Sequence, residues 1–240
     1  MTAPRTKAAV LTEKLKGLYR RLTGRTLLAF FGVTLGLWGF LTIAGEMAEG
    51  ETRAFDQRLL LALRTPGNPS NPIGPRWFEE SMRDITGLGG FTVLTLLTIA
   101  AVIALLRASR RWDAITIAAA VIGAELSSDL LKLAYARPRP LLVPHESYVY
   151  SSSFPSGHSA VSAATYLMLA ILITAGMERR KSKTMVFVAA IVIVVSIGTS
   201  RAYLGVHWPT DVLAGWTLGT GWAMLGWAAL GFQRRPPPDD

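Results

Sequence analysis

Cysteine is missing from all 240 residues, so neither a disulfide nor a thiolate metal site is available to this chain. Charge is scarce: only 17% of the residues are Asp, Glu, Lys or Arg, against ~25% in an ordinary soluble domain. Acidic residues are the scarcer sign, 16 against 25 basic, which leaves a net charge of +9. No internal repeat stands out, and no Asn-x-Ser/Thr glycosylation acceptor occurs. What fills the chain instead is apolar: half of it is hydrophobic, with a mean hydropathy of +0.34. These residues gather in about six runs near or above the length that crosses a bilayer. An excess of positive charge can signal nucleic acid, but here the cations border apolar runs. That is the membrane pattern, and no nucleic-acid partner is expected.

The expected fold is therefore all-α: a polytopic bundle of six transmembrane helices. Residues 1–25 are basic and lack the small-residue cleavage signal of a secretory leader. The run from Thr26 to about Ala44 exceeds a leader core and is read as a retained first span. Residues 45–84 form a long connection. In it Phe55, Leu59, Leu60 and Leu63 share one helical face, with Asp56, Arg58 and Arg64 on others. This fits a short interfacial helix in the headgroup layer, or equally an amphipathic helix packed on the core. Pro66, Pro69, Pro72 and Pro75 then impose an extended loop. Further spans are expected over about Ile85–Leu106, Asp113–Leu131, Ser159–Ala175, Met185–Gly198 and Pro209–Phe232. Gly215 and Gly219 offer a close-packing face on the last. Thus 26–232 form the membrane core, and 233–240 a disordered tail. The N-terminal segment, the turns at 107–111 and 178–183, and the tail together carry 16 of the 25 Lys and Arg residues. Both termini are accordingly expected in the cytoplasm, as in a bacterial inner-membrane protein.

This topology brings three charged stretches to the extracytoplasmic face. The first runs from Lys132 through Arg137 to Arg139-Pro140. The second is Pro155-Ser156-Gly157-His158. The third runs from Ser200-Arg201 to His207-Trp208-Pro209-Thr210-Asp211. Pro209 suits a first helical position, so His207 precedes a helix and Asp211 reaches back to its ring. A carboxylate on one ring nitrogen leaves the other free and more basic, which suits a nucleophile. Ser156 and Gly157 precede another helix, whose free amides and positive end favour a phosphate. His158, in that first turn, can protonate a leaving oxygen. Lys132, Arg137, Arg139 and Arg201 supply cations for an oxyanion, with Arg201 a permanent fork-shaped one. Such a cluster of cations repels a metal ion and attracts an anion, so no metal or other cofactor is expected. Glu125 and Asp129 lie inside the third span, and Asp129 is one turn before Lys132, placed to hold its ammonium.

The three stretches, Lys132-x6-Arg139-Pro140, Pro155-Ser156-Gly157-His158 and Ser200-Arg201-x5-His207-x3-Asp211, resemble the three-part signature of the type 2 phosphatidic acid phosphatase family. Every signature position is filled in the family's order, and the six spans resemble its membrane core. The resemblance implies a metal-independent phosphohydrolase acting through a phosphohistidine. It makes His207 the nucleophile, Asp211 its orienter, and His158 the general acid and then the base for water. Lys132, Arg139 and Arg201 would bind the phosphoryl oxygens, helped by Ser156 and the Gly157 amide. It does not extend to Arg137, Glu125 or Asp129. The expected substrate is a lipid phosphate in the bilayer: phosphatidate, phosphatidylglycerophosphate, a polyprenyl diphosphate or a lipid A phosphate. The competing reading is a lipid-phosphate transporter or a non-catalytic phosphate-binding membrane protein, in which Glu125 and Asp129 would relay protons.

Overall fold

The computed structural model describes residues 24–144 and 151–233. Nearly all of the basic N-terminal segment and of the expected tail lie outside the described residues. Within them the chain forms eight helices and one small hairpin: α1 Gly24–Glu49, α2 Arg53–Ala62, β1 Arg64–Thr65, β2 Asn68–Pro72, α3 Arg76–Gly87, α4 Phe91–Arg107, α5 Arg111–Tyr135, α6 Gly157–Thr174, α7 Arg180–Tyr203 and α8 Pro209–Gln233.

Helices α1, α5, α6 and α7 are long and apolar enough to cross a membrane, and α3 with α4 makes a fifth if that bent pair is one span. At ~1.5 Å per residue, the 25 residues of α5 reach about 37 Å. Large apolar side chains lie on the outer surface of these helices, among them Phe30, Trp38, Ile103, Leu130 and Val192. In water so much exposed apolar surface would drive association; in a bilayer it faces chains as apolar as itself. The chain is an integral, multi-pass membrane protein. Helix α8 has the length to span but is rich in Gly and Trp and falls outside the set that hydropathy alone defines.

The expected second span, Ile85–Leu106, is interrupted. Leu88-Gly89-Gly90 separates α3 from α4, and the two axes are bent by 46°. Gly89 sits where a side chain would overlap Ile197 and touch His158. The four prolines of 66–75 yield a structured segment: β1 and β2 pair antiparallel, turning through Gly67 at a φ of +80°. Helix α2 forms where an amphipathic helix was expected, but its buried positions are Asp56 and Leu60, while Phe55 and Leu59 are exposed. Arg64, expected on a polar face, is buried and donates 2.8 Å to the Tyr203 carbonyl. Both departures have one cause: partners distant in sequence satisfy the charge, which helical periodicity cannot register.

Helix α8 is the axis of the bundle and packs most extensively on α1 and α6. Its glycines make this possible. A Cβ on Gly215 would come within 2.6 Å of the Ser156 carbonyl, and one on Gly219 would strike the Ala160 carbonyl. The core divides into a large cluster around Ile117, Met168 and Leu230, a smaller one around Phe40, Phe154 and Ala214, and a third of Tyr203, Leu204 and Val206. Phe154 is fully buried between Phe40 and Tyr135, ring centroids 5.7 and 5.1 Å away, and so ties the 151–156 segment to α1 and α5.

Candidate active site

The C-terminal ends of α5 and α7 and the N-terminal ends of α6 and α8 meet at one end of the bundle, and the three charged stretches meet with them. They line a cavity of about 230 Å³ whose walls include Lys132, Arg139, Gly157, His158, Arg201 and His207, with Glu125 and the apolar Phe91, Leu94 and Val161. This is smaller than the pockets that take whole drug-sized ligands. It suits a headgroup whose chains remain outside.

Local sequence explains each placement. Arg137-Pro138-Arg139-Pro140 is held extended because each proline disfavours a helical residue before it. Residues two apart in an extended segment point the same way, and both guanidinium groups turn toward the start of α8. Helix α5 ends at Ala136, which takes a left-handed φ of 44°. The Ser152 hydroxyl caps that end through the Lys132 carbonyl, at 2.6 Å. Helix α6 begins with Ser156 as its cap, the side chain accepting from the Ser159 amide at 3.4 Å. Ser156 is thus fully buried behind the cavity, with its hydroxyl given to the cap, whereas Gly157 lines it. A Cβ on Gly157 would lie 3.0 Å from Lys132 Nζ, so glycine lets the ammonium rest close against the helix start without displacement.

His207 is buried between Asp211 and Arg139. Nε2 lies 3.2 Å from an Arg139 nitrogen. Arginine can only donate, so Nε2 accepts and the proton of the neutral ring is on Nδ1. Nδ1 faces Asp211 Oδ2 at 3.4 Å, an ion-pair distance without the alignment of a formed hydrogen bond. Such contacts commonly tighten only when substrate is bound. Burial lowers the His207 pKa from 6.5 to about 4; the Asp211 contact opposes this, and the Arg201 and Arg139 charges reinforce it. The ring is therefore neutral at physiological pH, with its lone pair on the cavity side. Burial also lowers Arg139, against the pull of Asp211.

Arg201, 3% exposed, is held by Thr86 of α3 at 2.9 Å, and its Nε has no partner among the described residues. Lys132 Nζ pairs with Asp129 Oδ1 at 2.9 Å, the contact expected from their spacing. His158 opens α6 on the cavity wall with His207. The structure thus gathers every expected site residue, with Ser156 as a cap behind the wall. Among the described residues, no three His, Asp or Glu side chains group in a metal-binding arrangement.

Several partners carried no signal in the sequence. Asp211 is wholly buried and its carboxylate is held at both oxygens. Oδ1 accepts from Arg137 at 2.6 Å; Oδ2 accepts from the Trp208 amide at 2.8 Å and from the Ser153 hydroxyl. Arg137 reaches on to Asp56 Oδ2 at 2.7 Å. Arg137 and Trp208 belong to the charged stretches; Asp56, Ser153 and Thr86 lie outside all three.

With this geometry in view, comparison with known proteins places the chain. The model of the PAP2 superfamily matches residues 113–235, and the chain belongs to that family. It is similar to a phosphatidylglycerophosphatase B of Bacillus subtilis, 38% identical over 162 residues, which cover 66% of this chain and 77% of that one. An undecaprenyl-diphosphatase of Sulfolobus acidocaldarius is 31% identical over 44% of this chain and 50% of its own. A lipid A 1-phosphatase of Rhizobium etli is 32% identical over 44% of each. Among solved structures, a transmembrane PAP2-type phosphatidylglycerolphosphate phosphatase from Bacillus subtilis superposes with a TM-score of 0.72 at 29% identity, covering 85% of this chain and 96% of that one. The chain is an enzyme of the phosphohydrolase class.

Proposed function

We propose that this protein removes a phosphate group from a membrane lipid, on the extracytoplasmic side, through a phosphohistidine at His207. The observation that carries the reading is the His207 ring itself. It is neutral, with its proton directed at Asp211 and its bare Nε2 beside Arg139 in a cation-lined cavity. Nε2 attacks phosphorus, and the bond from phosphorus to the lipid oxygen breaks. His158 gives that oxygen a proton, then takes one from the water that cleaves the phosphorus–nitrogen bond and frees inorganic phosphate. Lys132, Arg139 and Arg201 neutralise the charge spread over the phosphoryl oxygens, with the first-turn amides of α6 beside them. These groups supply the charge stabilisation that a divalent cation provides elsewhere, so the reaction is metal-independent. A transporter needs no nucleophile held in one tautomer.

The substrate class is a lipid phosphate monoester or diphosphate, as the names of the relatives suggest. Counting the bent α3–α4 pair and α8 as spans gives six, with both termini cytoplasmic. The basic turns at 107–111 and 178–183 then lie opposite the site. Helix α2, beside the site, lies at the headgroup level. The test is phosphate release by purified protein in detergent and EDTA from phosphatidate, phosphatidylglycerophosphate, undecaprenyl diphosphate and a lipid A phosphate. Release from at least one, with inhibition by vanadate, is expected. No release from any, or release that requires added Mg²⁺, would overturn the reading.

A further inference from the structure

Behind the His207–Asp211 pair lies a second layer of buried charge that the phosphoryl-transfer steps do not use. Asp56 of α2 is 0% exposed, yet it lies 154 residues from its partner Thr210 in the chain's order. Its carboxylate is held at both oxygens. Oδ1 accepts from the Thr210 amide at 2.9 Å; Oδ2 accepts from the Thr210 hydroxyl and from Arg137, each at 2.7 Å. Arg137 spends one nitrogen on Asp56 and the other on Asp211 Oδ1 and the Thr210 hydroxyl oxygen, with the Trp208 ring 5.5 Å from its centre. The chain of contacts runs Asp56, Arg137, Asp211, His207.

We propose that Asp56 and Arg137 are positioning residues for the nucleophile, aiming the Asp211 carboxylate at His207 and keeping net negative charge behind the ring. The inference rests on His207 being the attacking group.

Two physical arguments carry it. The first is geometric. A carboxylate held at one oxygen can swing about its bond to Cβ. Here Arg137 fixes Oδ1 while Ser153 and Trp208 fix Oδ2, so the orbital facing His207 Nδ1 has one direction. The second is electrostatic. Arg137 alone would neutralise Asp211 and leave nothing to stabilise the positive ring that forms as Nε2 bonds to phosphorus. Asp56 restores the balance: two carboxylates and one guanidinium leave a single negative charge. Stability does not explain the arrangement. Fully buried carboxylates paired with a guanidinium are usually no better than well-packed apolar residues of the same volume, because desolvation consumes the Coulombic gain. Two fully buried carboxylates sharing a part-buried guanidinium behind a nucleophile are an expensive way to join α2 to α8.

The test is steady-state kinetics and pH profiles of Asp56→Asn, Arg137→Gln and the double variant, in the detergent used for the wild type. Asp56→Asn should lower kcat by about 10- to 100-fold, the usual effect of losing an outer-shell partner. KM should stay within about threefold, since Lys132, Arg139 and Arg201 are untouched. The acid limb of kcat/KM should move to lower pH. Asp211, Arg139 and Arg201, the charges that act on His207, are unchanged in the variant, as are His158, Lys132 and Glu125 on the cavity wall. The shift therefore reports the lost Asp56 charge. A purely structural role would lower the yield or Tm without moving the limb. Because Asp56 acts through Arg137, the double variant should be no slower than Arg137→Gln. A kcat within twofold of wild type, an unshifted limb or multiplicative losses would overturn the proposal. Arg137→Lys decides the point if Asp56→Asn does not fold. It keeps the number of charges, but an ammonium does not reproduce the fork between two carboxylates. Its kcat should fall at constant KM, and a wild-type kcat would be contrary. If wild-type protein releases no phosphate, the assigned reaction fails rather than the relay.

Discussion

Asp211→Asn changes a charge without changing a shape, and the contacts of the carboxylate set the size of its effect. Oδ2 faces two donors, the Trp208 amide and the Ser153 hydroxyl, while Oδ1 faces one, Arg137. An amide has one acceptor and one donor end, so one orientation sets its NH2 against Arg137 and the other against Trp208. The carbonyl should take the Oδ2 side, where two donors converge, which keeps the Nδ1–H tautomer of His207. One buried donor pair is then mismatched, at a cost of ~1–3 kcal/mol. In a chain of this size, each kcal/mol corresponds to ~2–4 °C of Tm. The rate suffers separately. A charge-assisted hydrogen bond is worth ~1.5–3 kcal/mol against ~0.5–1.5 for a neutral one. The positive ring formed in the reaction therefore loses about 1–2 kcal/mol, a ~5- to 30-fold drop in kcat. Phosphate release in detergent, with Tm measured on the same preparation, reads both numbers. A kcat within twofold of wild type, or a loss confined to KM, would refute the assignment of Asp211 as orienter.

Three other outcomes rest on the same geometry. His158→Ala should slow phosphoenzyme formation by ~10²–10⁴ with an alkyl monoester and far less with a diphosphate, whose leaving group needs no proton. Equal slowing in rapid-quench measurements would make His158 a binding or structural group. A protonated ring has no lone pair to attack with, and His207 titrates at about 4 rather than 6.5. The acid limb of kcat/KM should therefore fall as pH drops through about 4 to 5, and a limb near 6.5 would contradict the burial argument. Gly219→Ala would drive a methyl group into the Ala160 carbonyl and to 2.8 Å from Ala163 Cβ. At ~1–3 kcal/mol for overpacking, Tm should fall by about 2–12 °C; an unchanged Tm would mean that α6 and α8 are not in close contact.

Much of the site was legible because its chemistry is local. Pro209 marks the start of α8, and the four-residue step from His207 to Asp211 fits a residue before a helix and one in its first turn. Ser156-Gly157 announces a capped helix, and the three-residue step from Asp129 to Lys132 gives their ion pair. The close approach of α8 to α6 was likewise written in Gly215 and Gly219. What was not legible depends on long-range pairing. Asp56 looked like part of the polar face of α2, because nothing nearby in sequence shows that it meets Arg137, 81 residues on. Arg64 is hidden for the same reason, since its partner is the Tyr203 carbonyl, 139 residues away. The bend before α4 was hidden by hydropathy, which treats Gly89 and Gly90 as mildly neutral although the helix breaks there and Gly89 admits Ile197 beside His158. The proline-rich segment kept its extended backbone but gained a partner strand, because Gly67 supplies the left-handed turn that closes it.

The central claim is that His207 carries the phosphoryl group. It is tested most directly by mixing purified protein with a ³²P-labelled lipid phosphate, quenching in alkali within milliseconds and counting label on the protein. Wild-type protein should hold alkali-stable, acid-labile label, as a phosphoramidate does, and a peptide containing His207 should carry it. His207→Ala should carry none and release no phosphate. Label on another residue, or label and turnover that survive in His207→Ala, would contradict the account.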